Sequence, residues 1–181
     1  MRPVLRESVP SQRPRDQWLS AGQELLRRGG VKAVKLGALT AELGLTTGSF
    51  YHHFDGMAAF LDELARFYGA DQVVAILAGI ETEDPVERLR NLVRVSREDS
   101  RAALDVAMRD WAGSNDLAAS AVRGADEQLL RFVERAFRDL GHDRAAARVR
   151  ALTLVSVGVA RVIPPWPLPR TTAEQILEIL T

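Results

Sequence analysis

The chain has 181 residues, 46% of them hydrophobic and 27% charged, which suits one or two small soluble domains with a buried core. There is no cysteine, so disulfides and thiolate metal sites are excluded. The 24 basic and 24 acidic residues cancel, but unevenly: residues 1–54 hold eight basic groups (Arg2, Arg6, Arg13, Arg15, Arg27, Arg28, Lys32, Lys35) against four acidic, leaving sixteen and twenty for the rest. A basic first part on an acidic remainder suits a protein whose N-terminal portion alone meets phosphates.

The opening MRPVLRESVPSQRPRDQ puts charges and prolines where a signal peptide needs an apolar run, and no apolar stretch is long enough to span a bilayer. A cytoplasmic protein without a membrane partner is expected. Residues 1–14 read as a mobile basic arm, with Pro3, Pro10 and Pro14 disfavouring helix and the arginines available for nonspecific phosphate attraction. A plain disordered terminus accounts for the same composition. From Arg15 to Arg28, the residues Trp18, Leu19, Ala21, Gly22, Leu25 and Leu26 form one stripe of an amphipathic helix, stopped by Gly29 and Gly30.

The next stretch, KLGALTAELGLTTGSFYHHF from Lys35 to Phe54, predicts a helix, a tight turn and a second helix. Leu36, Leu39 and Leu43 recur at helical spacing before Gly44, which can take the left-handed conformation that ends the first helix; Leu45 is expected to plug the angle between the two. Thr46 is a good N-cap for the second helix, its hydroxyl accepting from the Ser49 N–H. That helix carries Thr46, Thr47, Gly48 and Ser49 at its exposed end, with Phe50 and Phe54 facing inward. A small polar tip on an aromatic anchor is how a recognition helix enters a DNA major groove.

The ordered run through Leu39, Gly44, Leu45, Gly48, Ser49, Phe50, Tyr51, His53 and Phe54 resembles the DNA-binding head of the tetracycline-repressor (TetR) family of one-component regulators. The resemblance implies an all-α protein: a three-helix helix-turn-helix head at residues 15–55 and a helical effector-binding and dimerisation body at 56–181. For DNA contact it points to Thr46, Thr47 and Ser49 near base edges or phosphates, Gly48 where backbone approaches the duplex, and Tyr51, His52 and His53 as positioning groups on the backbone. One departure stands out. The family commonly has a phosphate-contacting lysine near the start of the fourth helix, where this chain reads Asp55, Gly56, Met57. Lys35, at the start of the helix before the turn, is the candidate compensation.

After Phe54 a long helix is predicted over roughly residues 56–79, with Phe60, Leu61, Leu64, Phe67, Tyr68, Val74 and Leu77 apolar. Asp84, Pro85 and Glu87 signal the next start, a helix running to about Ser100. Another follows through Leu104, Val106, Ala107, Met108 and Trp111, and a third spans Leu117 to Leu140 behind the capping residues Ser114, Asn115 and Asp116. The segment from Asp143 becomes apolar all round after Ala151, so it needs cover on every side, its own body on one and a partner subunit on the other. Pro164, Pro165, Pro167 and Pro169 then force an extended link around Trp166, before a last helix with Ile176, Leu177 and Leu180. This ending resembles the two C-terminal helices with which family members pair, giving Leu152, Val155, Ser156, Val159, Val162, Ile176 and Leu180 as the expected homodimer interface.

No phosphate loop, nucleophile elbow or dinucleotide glycine motif occurs, so enzyme chemistry is not expected. His52 and His53 are adjacent on a helix, about 100° apart, and cannot easily share an ion; no metal or cofactor is expected. For a small-molecule effector, Phe67, Val106, Met108, Trp111, Phe132, Phe137 and Trp166 are candidates, each of which also reads as ordinary core. Arg94, Arg109 and Asp110 could orient a polar ligand if they turn inward. The reading is a dimeric regulator of transcription that binds a palindrome in double-stranded DNA, a repressor released by a small molecule. Two rivals remain: a helical ligand-binding or dimerisation module that has lost specific DNA binding, for which Met57 is the argument, and a helix-turn-helix activator or recruitment protein.

Overall fold

A computed structural model describes residues 14–96, 99–159 and 172–181. Among them every regular element is helical, in one short 3-10 helix (Val31–Ala33) and ten α-helices: α1 (Pro14–Gly29), α2 (Leu36–Leu43), α3 (Thr47–His53), α4 (Met57–Tyr68), α5 (Ala70–Gly79), α6 (Pro85–Ser96), α7 (Asp99–Ala112), α8 (Asp116–Asp139), α9 (Arg144–Val159) and α10 (Thr172–Leu180). Residues 1–13 of the basic arm, Val162, Trp166 and the four-proline link lie outside the described residues, as does the side chain of Val159, while Pro14, the last residue of the expected arm, is the first of α1.

Local chemistry accounts for most boundaries. Asp84 Oδ1 accepts from the Val86 and Glu87 N–H groups at 2.8 and 3.3 Å, with Pro85 as the first helical residue of α6. Asn115 accepts from the Ala118 N–H at 2.9 Å to start α8, and Asp143 from the Ala146 N–H at 2.9 Å to start α9. The helix expected over 56–79 is in fact two. Gly69 separates α4 from α5, its N–H turning back to the Arg66 carbonyl at 2.9 Å. A Cβ at residue 69 would lie 2.8 Å from that carbonyl oxygen, so the break needs glycine. The apolar stripe runs on across it, which is why periodicity alone joins the two helices.

The buried side chains fall into two clusters. The first gathers Trp18, Leu26, Leu39, Phe50, Phe54, Phe60, Leu64, Met108, Trp111 and Val122, from α1 to α4, α7 and the first half of α8. It runs without interruption across the junction at residues 55 and 56. The second gathers Leu77, Leu89, Phe132, Val133, Phe137, Ala147, Leu154 and Leu177, from α5, α6, the second half of α8, α9 and α10. α8 passes through both, and Val73 packs against both. In the second, buried Arg88 is compensated on three sides: ion pairs to Glu81 at 2.8 Å and Asp139 at 2.7 Å, and two hydrogen bonds to the Thr82 carbonyl at 3.1 and 2.9 Å.

α1 and α4 approach closely at Gly22, where a Cβ would meet the Phe60 Cζ at 2.8 Å and the Leu64 methyls at 3.1 and 3.2 Å. Gly22→Ala is therefore expected to lower stability by about 1–2 kcal/mol, overpacking outweighing the gain in helix propensity. Gly124→Ala, in α8 with open space around it, should raise stability by up to about 1 kcal/mol. Urea denaturation of the two variants checks the opposite signs.

Candidate nucleic-acid interface

The helix-turn-helix forms as its residues dictate. Gly44 ends α2 at φ 64° and ψ 26°, and the N–H groups of Gly44 and Leu45 both turn back to the Thr40 carbonyl. Thr46 is extended and its hydroxyl accepts from the Ser49 N–H at 3.3 Å, starting α3. Leu45 does not plug the angle between the helices: it is 40% exposed, and the fully buried residues of the pair are Leu39 and Phe50. The left-handed residue turns the chain outward before Leu45, leaving it on the tip.

Behind α3 stands a packed group of rings. Trp18 and Phe50 meet edge to face at 5.4 Å, Phe50 and Phe54 lie 5.2 Å apart, and Phe60 closes on them at 5.5 and 4.9 Å. Trp18, Phe50 and Phe60 are wholly buried. In front, Thr46, Thr47, Gly48, Tyr51 and His52 are exposed and Ser49 and His53 half-buried. Tyr51 is 59% exposed yet oriented, its ring 5.5 Å from Phe50 at an interplanar angle of 85°. The expected contact residues from Thr46 to His53 thus share one projecting element, with Lys35 apart from them at the start of α2; Leu45, absent from that expectation, stands beside the tip.

The charges around this element are sorted by partner. Arg15 lies over the Phe54 ring at 5.0 Å and donates to Glu63 at 2.8 Å; Arg27 pairs with Glu24, and Arg28 with Glu42, which ties α1 to α2. Lys32 and Lys35 are exposed and, among the described residues, in no ion pair. Lys35 is the N-cap residue of α2, its carbonyl accepting from the Leu39 N–H at 2.9 Å. Met57, in the family's lysine position, is half-buried against the first core, and Asp55 is exposed.

The other candidate residues are more dispersed. Phe67, Met108 and Trp111 belong to or pack against the first core and Phe132 and Phe137 to the second, with Val106 half-buried on α7. They are thus divided between the two cores, and a surface depression of about 180 Å³ is lined by none of them, but by Val86, Arg90, Leu177, Glu178 and Thr181. Arg109 turns inward while Asp110 is exposed. On α9, Leu152 is 58% exposed, with Ser156 beside it, while Val155, Ile176 and Leu180 are half-buried against the second core. Val149, Val157 and Ile179 are exposed too. The all-round apolar character of the chain after Ala151 was the signal for Val157.

Because a Cβ at residue 44 would meet nothing within 4 Å, Gly44→Ala isolates the backbone term of the turn. We expect a loss of about 1–2 kcal/mol from the left-handed conformation alone, measured as a fall in Tm.

Comparison with known proteins agrees with this geometry. Residues 19–64 match the family described as bacterial regulatory proteins, tetR family. A comparison with curated proteins returns no match. Among solved structures, a transcriptional regulator from Rhodococcus sp. Rha1 superposes with a TM-score of 0.69 at 17% identity, over 92% of each chain. A TetR-family regulator from Agrobacterium tumefaciens does so at 0.68 and 18%, over 92% of this chain and 95% of that one. The multidrug binding protein EbrR, complexed with imidazole, does so at 0.59 and 17%, over 94% and 96%. At such identities the superpositions establish a shared fold. Residues 19–64 thus carry the sequence match to the tetR family of bacterial regulatory proteins, and the chain along its length shares the all-α fold of the regulators it superposes on.

Proposed function

We propose that this regulator binds a palindromic operator in double-stranded DNA as a homodimer and acts as a repressor released by a small molecule. The carrying observation is the projecting tip of α3, with Thr46, Thr47 and Gly48 exposed and Phe50 wholly buried behind them. On this reading Thr47 and Ser49 approach base edges, Gly48 lets the backbone close on the duplex, and Leu45 offers an apolar contact to a thymine methyl. Tyr51, His52, His53 and Lys35 fix the head on phosphates. Residues 15–55 are the part that meets DNA and 56–181 the part that dimerises and senses. No helix among the described residues is long and apolar enough to cross a membrane.

A dimer is supported by the outward face of α9, where Val149, Leu152, Thr153 and Ser156 are exposed together, opposite buried Ala147, Ala151 and Leu154. A valine and a leucine exposed beside small hydroxyl residues suit a face that a second helix can approach closely. A twofold pair also matches the need of a short recognition helix, which reads only a few base pairs, for a second half-site about 34 Å away. Ligand response is supported by the shared fold with EbrR, a protein described by the drugs it binds.

Gel shift against the DNA flanking the protein's own gene is expected to give a retarded complex; none at low salt would instead favour a module that has lost DNA binding, consistent with half-buried Met57 and exposed Asp55. Lys35→Ala should lower the slope of log K against log salt by about one and Tyr51→Phe should weaken specific and nonspecific duplexes alike. Loss at one base pair only in Tyr51→Phe would contradict its positioning role. Leu152→Asp should convert the dimer to monomer in sedimentation at micromolar concentration and abolish tight operator binding; an unchanged dimer would move the interface off this face.

A further inference from the structure

Tyr68, the last residue of α4, makes a polar bond that its apolar surroundings do not require. Its ring is buried in the first core, and its hydroxyl donates to Asp105 Oδ1 of α7 at 2.9 Å. Asp105 Oδ2 accepts from Arg109 Nε at 2.9 Å, and Arg109 forks onto Asp126 of α8 at 3.0 and 2.6 Å. Burial first, and the two carboxylates after it, push the Tyr68 hydroxyl well above its ordinary range, so it remains a donor. Two carboxylates against one guanidinium leave a negative charge in excess, and the tyrosine hydroxyl answers it.

The bond lies where the fold turns. Gly69 breaks the helix immediately after Tyr68, and on the far side Gln72 pairs its amide with that of buried Gln23 of α1, at 3.0 and 3.4 Å. α1 packs on both α4 and α7, and through Trp18 it holds Phe50 of the recognition helix. Tyr68 to Asp105 therefore closes the third side of a triangle of α1, α4 and α7 that carries α3. Apolar packing is non-directional and tolerates small slips between helices, whereas a hydrogen bond to a charged acceptor demands a narrow distance and angle.

We propose that the Tyr68–Asp105 bond, braced by Arg109 and Asp126, is a positioning device for DNA binding, selecting one pose of the head and so the separation at which a dimer presents its two recognition helices. This rests on the DNA-binding dimer proposed above. Tyr68 touches no DNA on this account; it acts through α4 and α1.

The absence of cysteine makes the pose measurable. Ala41→Cys on α2 and Arg131→Cys on α8, both exposed, give one spin-label pair per chain, read by double electron–electron resonance after dilution with unlabelled protein. Tyr68→Phe is expected to broaden the distance distribution. On a palindrome selected against the unmutated protein, it should also cut discrimination against spacers one base pair longer or shorter by about fivefold. Val122→Ala, buried in the same core but outside the network, is the control: it should lower Tm and leave both readouts unchanged. An unchanged distribution in Tyr68→Phe overturns the proposal, as does broadening without any change in spacer discrimination, or equal changes in Val122→Ala. If the unmutated protein selects no duplex while the distribution still broadens in Tyr68→Phe, the DNA reading falls and the setting of the head's pose stands.

Discussion

The edge-to-face contact between Trp18 and Phe50 is the interaction on which the rest of the molecule depends. α3 has only seven residues and one fully buried side chain, so little else fixes it to the protein. The contact in turn requires Phe60 at its back, and Phe60 reaches that place only because residue 22 has no Cβ. A glycine in α1 thus decides how far an aromatic from α4 penetrates, and that decides where a short helix from a third part of the chain can sit. The first core's extension into α7 and α8 makes the head a continuation of the body's interior rather than a bead on a string.

The electrostatics of the head follow a division of labour between the two cation types. Arginine's planar fork suits carboxylates, and Arg15, Arg27 and Arg28 are all committed to glutamates that join α1 to its neighbours or brace its own surface. The lysines, exposed point charges in no ion pair among the described residues, are what remains for an external anion. Glu24 and Glu42 are already subtracted in the net count over residues 1–54, but Glu63 is not, so that count overstates by one charge the attraction the head can exert.

How much of this was legible in sequence depends on the range over which the information acts. Gly44 and the Thr46 cap are local, and residues within five positions specify them; the helix-turn-helix was readable for that reason. The break at Gly69 was not, because a glycine inside an apolar stripe is compatible with a continuous helix until the carbonyl of Arg66 is placed beside it. Leu45 is expected from sequence in the angle between the two helices, yet its direction is set by the backbone turn one residue earlier. The pairings of Arg28 with Glu42 and Arg15 with Glu63 span 14 and 48 residues and leave no periodic trace. For the effector candidates, amphipathic spacing says that Met108 and Phe137 face inward, but two interiors exist and the pattern carries no sign of which.

α8 gives the two interiors a common beam. Its 24 residues make a rod about 36 Å long. Pivoted near one end, such a rod turns a tilt of 5° into about 3 Å of travel at the other, close to the rise of two residues. A displacement of only a fraction of a side chain's width at Phe132 or Phe137 would then be magnified into a shift of Ala118 and Val122 that tightly interlocked rings cannot absorb in place.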